Sequence, residues 1–311
     1  MEFLYIGLAV LAVLLVAYFT VIYLLFKKSF GRNKGNKVVA ADFGPFFNDV
    51  KEGERDLISQ NAEVLEIKSF DGLTLRALWL KCDNAKRTVL CVHGYQSRGT
   101  RDFGCVWRYY NSIGCNLLII DHRACGKSEG EYITFGVKER FDVAAWAKKA
   151  AETAPDLPIF LDGISLGGAT VLLASELPMP ENVVGIVADC GFTSPWDICK
   201  HVVNHYMKIP AFPSLNIANL YCRAFAGFSL KETSAQRALE KNKYPIFFLH
   251  GGKDDFVPTE MSRINFEAAR SEKELHIVEE ATHGLSYLYE PERCQKALSD
   301  FFLRYDNRFS R

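Results

Sequence analysis

The chain has 311 residues, 49% of them hydrophobic, and its 37 basic and 37 acidic side chains cancel. That length accommodates one large α/β domain with an appendage, and the balanced charge offers no global field for nucleic acid or acidic polymers. Nine cysteines, an odd number without a Cys-x-x-Cys pair, fall mostly in apolar runs, and no Asn-x-Ser/Thr sequon occurs. They read as buried thiols in a reducing compartment rather than as a disulfide framework or a zinc site.

Residues 3–26 are uncharged and almost wholly apolar, long enough as a helix to cross a hydrocarbon core of about 30 Å. Residues 1–28 therefore read as a single-pass transmembrane anchor. A cleaved signal peptide is the competing reading, opposed by the length of the run and the lack of a basic stretch before it. Only Met1 and Glu2 precede the run, whereas Lys27, Lys28, Arg32, Lys34 and Lys37 follow it, so the positive-inside bias puts the body in the cytoplasm. Membrane lipid is thus an expected partner through this helix; the oligomeric state is not legible.

Residues 29–60 mix Gly, Pro, aromatic and charged side chains and read as a membrane-proximal linker with a short helix over 49–59. Residues 61–311 read as one domain. It opens with a hairpin, 64–69 and 73–81, whose two-residue turn is Asp71-Gly72. An alternation follows: strand 88–92, helix 101–113, strand 116–121, helix 137–151, strand 158–162, helix 169–177. Strands at 183–188, 245–250 and 274–279 and a helix at 292–305 complete it. Strands rich in Leu, Val and Ile without polar alternation suit a parallel sheet covered on both faces, here doubly wound with about eight strands. Residues 191–243, far longer than an ordinary crossover, carry Phe192, Trp196, Tyr206, Phe212, Tyr221, Phe225 and Phe228 and read as a helical lid. Packing of those aromatics against the sheet is the alternative.

The chemistry centres on Gly163-Ile164-Ser165-Leu166-Gly167, which ends one short apolar run and precedes a helix. Strand, sharp turn and helix are the context of a nucleophile elbow, and side chains at Gly163 and Gly167 would collide with neighbouring backbone. A serine hydroxyl needs an imidazole base, and the imidazole needs a carboxylate to fix its tautomer. His250-Gly251-Gly252-Lys253-Asp254-Asp255 and Ala281-Thr282-His283-Gly284 supply both at strand ends, in the order Ser165, Asp254, His283. Asp189, at the end of an earlier strand, competes for the acid, and Asp255 is expected to serve the turn or cap the next helix.

From about residue 60 onward the chain resembles the serine α/β-hydrolases, of the esterase and lipase kind. The resemblance rests on His93-Gly94-Tyr95, the Asp121-to-Gly130 turn, the elbow, and the His-Gly-x-x-Asp-x-x-Val-Pro run from His250. It implies an α/β-hydrolase fold with Ser165 as nucleophile, His283 as base and then acid, and Asp254 as the orienting carboxylate. It also implies an oxyanion hole from the N–H groups of Leu166 and Tyr95; the Tyr95 phenol either donates as well or packs beside the pocket. The Arg123-to-Ser128 turn imitates a phosphate loop, but Asp121 stands where that loop needs glycine. No metal is expected, since His-Glu-x-x-His is missing, and no cofactor. The expected substrate is a small-molecule carboxylic ester with a partly apolar acyl group, possibly lipid-derived. Amide or thioester cleavage is the alternative within the class, and a catalytically silent membrane-bound binding module the alternative outside it.

Overall fold

The computed structural model describes residues 1–32 and 43–309. Lys34 and Lys37, and residues 33–42 of the expected linker, lie outside the described residues. Helix α1 (Glu2–Phe30) is exposed through most of its length and buries Ile22, Phe26 and Phe30 at its C-terminal end. It is long and apolar enough to cross a membrane by length and composition. Helix α2 (Phe47–Ile58) lies within the segment expected as linker and buries Val50 and Leu57.

The sheet contains β1 (Glu63–Lys68), β2 (Thr74–Leu80), β3 (Arg87–Val92), β4 (Cys115–Ile120), β5 (Ile159–Ile164), β6 (Val183–Asp189), β7 (Ile246–Gly251) and β8 (Lys273–Val278). Its order is β1-β2-β4-β3-β5-β6-β7-β8, antiparallel at β1-β2 and β2-β4 and parallel thereafter. The hairpin turn departs from expectation: Gly72 N–H donates to the Ser69 carbonyl, so Phe70 and Asp71 are the central residues. Asp71 is pulled there by the Ser69 hydroxyl and by the Arg123 guanidinium.

Alternation along the strands feeds two cores. In β3, Val89 and Cys91 face one layer while Leu90 and Val92 face the other, all fully buried. One layer is closed by α5 (Glu139–Thr153), through Val143, Trp146, Ala147 and Ala150, and by α6 (Leu166–Ala174). Their i, i+3, i+4, i+7 spacing puts the α5 residues on one stripe. The other layer holds α4 (Trp107–Ser112) and α12 (Pro291–Tyr305), the latter contributing Leu298, Phe301 and Phe302. The single helix expected over 101–113 is broken: α3 (Gly99–Asp102) and α4 are separate turns, with Gly104 packed against the backbone of Gly53 and Glu54 in α2.

Between β6 and β7 come α7 (Pro195–His201), α8 (Ala211–Tyr221) and α9 (Ala235–Leu239). With the end of α1, α7 and α8 form a third apolar cluster containing Phe26, Phe30, Phe192, Leu215 and Phe228, seated over Leu166 and Ala169 of α6, while α9 packs Ala235 and Leu239 into the layer of α5 and α6. Two helices flank the remaining loops, α10 (Thr259–Ala268) and α11 (Ser286–Tyr289).

Candidate active site

Ser165 sits between β5 and α6 with φ 57° and ψ −113°, a conformation costly for a residue with a Cβ. Its N–H donates to the Asp189 carbonyl and its own carbonyl accepts from Ala169, which fixes the bend from both sides. A Cβ on Gly163 would overlap the Gly167 carbonyl, and one on Gly167 would overlap the Val92 carbonyl. Both glycines are therefore required by close backbone approach.

The hydroxyl of Ser165 lies 2.8 Å from Nε2 of His283, whose Nδ1 lies 2.7 Å from Oδ2 of Asp254. Because the carboxylate can only accept, Nδ1 carries the proton and Nε2 is left to accept from the serine. Asp254 is buried, and its other oxygen accepts from the N–H groups of Phe256 at 3.0 Å and Val257 at 2.9 Å. Burial alone would raise this carboxyl, but hydrogen bonds from His250 and His283 outweigh it and hold it at about 2. The acid is thus ionised wherever the imidazole needs it.

The role of His250 was not legible in its sequence position, where it is one of several histidines beside glycines. Its Nε2 faces two acceptors, Oδ2 of Asp254 at 3.1 Å and the Val257 carbonyl at 2.9 Å, while Nδ1 meets the Ser262 hydroxyl at 2.6 Å. That pattern makes Nε2 the protonated nitrogen and Nδ1 the acceptor. The Gly94-Tyr95 loop is likewise held by a group that spacing did not single out: Gly94 N–H donates to Asp102 at 2.8 Å.

Asp189 meets Ser165 through its backbone carbonyl. Its side chain is buried with Oδ1 unpartnered, and burial, with Asp162 and Asp254 nearby, pushes it far above the ordinary carboxyl range. The His283 imidazole pairs with Asp254 rather than with this side chain. Asp255 does not cap α10, whose N-cap position is Pro258; its carbonyl accepts from His201 instead. The Tyr95 phenol is also engaged elsewhere, donating to the Ser29 carbonyl of α1 at 2.7 Å. Arg123 joins Asp142 and Asp71, stapling the 121–130 turn to α5 and the hairpin.

Two cavities meet at Ser165. One, of about 120 Å³, is almost wholly apolar and lined by Leu166, Phe192, Val202, Met207 and Leu215, with Ile22, Leu25, Phe26 and Ser29 of α1 opposite. That is the size of space that holds a small hydrocarbon. The other, about 460 Å³, is more polar and includes His283, Asp102, Asp162, Asp189 and Tyr287. Tyr95, Ser165 and Phe256 border both.

Strand order and elbow give this chain the α/β-hydrolase fold, and the family model and solved structures that it resembles are hydrolases. The model of the family described as serine aminopeptidase, S33, matches residues 83–219. The chain is 25% identical over 238 residues to the uncharacterised protein YqkD of Bacillus subtilis (strain 168), covering 76% of this chain and 77% of that one. It is 25% identical over 227 residues to protein bem46 of Schizosaccharomyces pombe, covering 71% of each. Among solved structures, esterase Pf2001 of Pyrococcus furiosus superposes with a TM-score of 0.66 at 25% identity, over 81% of this chain and 94% of that one.

Proposed function

We propose that this hydrolase cleaves a carboxylic ester with a partly apolar acyl group, through an acyl-enzyme formed on Ser165. The observation that carries the reading is a serine hydroxyl in hydrogen-bond contact with an oriented imidazole at the mouth of an apolar cavity. Ser165 attacks the carbonyl as His283 takes its proton, and the resulting imidazolium is stabilised by Asp254. The oxyanion is received by the N–H groups of Leu166 and Tyr95. Leu166 is the first residue of α6, where N–H groups have no acceptor within the helix. His283 then protonates the departing alcohol and activates the water that releases the acid. The acyl group occupies the apolar cavity, and alcohol and water use the polar one.

In the same proposal α1 is a membrane anchor, with the body on the side of Lys27, Lys28 and Arg32. A cleaved leader fits poorly with a segment this firmly joined to the body: Gly31 bridges to Tyr132, and Arg32 donates to the carbonyls of Ser128 at 2.6 Å and Gly126 at 2.9 Å.

The description of the matching family as aminopeptidases supports amide cleavage as a second reading. The polar cavity, lined by Asp102, Asp162, Asp189 and Asp255, has carboxylates to pair with a free amino group, whereas the apolar cavity has none and favours the ester. The test is hydrolysis of nitrophenyl esters and aminoacyl nitroanilides by the full chain in detergent, beside Ser165→Ala. Ester turnover that disappears in the variant is the expected result. Anilide turnover alone would replace the ester reading, and a folded protein inert to both and to a fluorophosphonate would replace catalysis by binding.

A further inference from the structure

The anchor helix is part of the site. Ile22, Leu25, Phe26 and Ser29 line the apolar cavity that reaches Ser165. This end of α1 is held in place by the Tyr95 phenol on the Ser29 carbonyl and by the Arg32 contacts just beyond it. Further out, α8 follows the helix: the Tyr18 and Ser214 hydroxyls meet at 2.8 Å, and the Tyr23 and Tyr221 rings at 5.5 Å. Residues 3–21 are almost all exposed. At 1.5 Å per residue they span roughly 29 Å, about the thickness of a bilayer's hydrocarbon core. The slab would therefore end beside α8, which Tyr18 and Phe19 meet through Ser214 and Tyr221, and α8 exposes Phe212 at 79% and Leu220 at 57%. Between α1 and α8 the cavity is lined by Ile22 on one side and by Leu215 and Ala218 on the other, with Ile22 and Leu215 buried where the two helices meet.

We propose that α1 is one wall of the acyl-binding cavity, and that a membrane-dissolved ester enters acyl chain first from the bilayer, along the seam between α1 and α8. The substrate class is then an amphiphilic ester resident in the membrane, and Ile22 and Leu25 determine the chain length it carries. This rests on the ester reading.

The test uses the full chain in phosphatidylcholine nanodiscs, with nitrophenyl esters from acetate to palmitate, comparing wild type, Leu25→Trp and Ile22→Ala. Leu25→Trp is expected to lose about tenfold on decanoate relative to acetate, the loss for about two methylenes kept out of an apolar site. Ile22→Ala is expected to move the optimum to longer chains. Three coincident length profiles would overturn the proposal. A second readout needs no turnover: a fatty acid with a terminal diazirine, photolysed and mapped by mass spectrometry. Wild type should be labelled at Val202 and Leu215, and Leu25→Trp should lose that label while keeping the label that bilayer lipid leaves on residues 3–21. If no protein cleaves any ester yet the lid label still depends on Leu25, the ester reading falls and the wall stands. Equal lid labelling in both proteins removes the wall, whatever the esters show.

Discussion

At the scale of single residues, the assignment of the acid is the sharpest test. Asp254 accepts from His283, His250 and two backbone N–H groups, whereas Asp189 is buried with one oxygen unpartnered. Asp254→Asn should lower kcat on the order of 10⁴-fold, through the wrong imidazole tautomer. Asp189→Asn, which leaves the His283–Asp254 hydrogen bond in place, should stay within about tenfold of wild type, a difference steady-state kinetics on a short ester reads directly. Two acids also give stability opposite dependences on pH. Burial holds Asp162 at about 7 against an ordinary 3.8, with the Tyr110 hydroxyl offsetting part of the effect. Between those values the folded protein keeps a proton the unfolded chain has released, so this carboxyl's contribution falls as pH rises from about 4 to 7. Asp254, held at about 2, contributes stability that is present above about pH 4 and lost as pH falls toward 2. Thermal melts of Asp162→Asn should show a gain over wild type at pH 8 that vanishes at pH 4.

At this scale the sequence was most readable where chemistry dictates residue type. An elbow that cannot tolerate side chains must carry glycine, and a base must lie on a strand-end loop, so Ser165, His283 and Asp254 stood out before their distances were known. His250 and Asp102 did not stand out. They act on other residues of the site rather than on a reacting group, and nothing in local spacing distinguishes such a histidine or aspartate from a packed one.

Among the elements, strands and crossover helices were readable because a covered parallel sheet writes itself as uninterrupted apolar runs. The partnership of α1 with α8 was not, because an apolar helix carries the same composition whether lipid or protein surrounds it. Phe26 shows the difference: only 1% exposed, it contacts the rings of Phe30, Tyr132, Tyr221 and Phe225. Phe26→Ala should cost about 3 kcal/mol, the low end for a large buried aromatic, and appear as a lowered melting temperature in detergent. A chain starting at residue 38 lacks this plug altogether. It should melt lower than the full chain and bind a hydrophobic dye through the bared lid aromatics; equal melting and no added dye binding would show that the lid closes without α1.

For the whole molecule, the nine thiols report orientation. All are free, seven are buried, and only Cys82 and Cys105 are partly exposed, the latter pushed up to about 11 by burial with Asp49 nearby. An impermeant maleimide should therefore mark Cys82 first, and only after cells are permeabilised if the body lies in the cytoplasm. Labelling of intact cells would invert the topology.

The junction at Gly31 and Arg32 bears on how such a molecule meets membranes of different thickness. A catalytic body hung from a pliant tether is indifferent to the tilt of its span. Here the span and the body are joined by a β-bridge, an arginine clamp and a wall of aromatic rings. With α1 across a bilayer, hydrophobic mismatch that tilts the helix must tilt the enzyme with it, lifting or sinking Phe212 and Leu220 relative to the headgroups. On the proposed route, bilayer thickness would then set the height at which the seam between α1 and α8 meets the acyl chains.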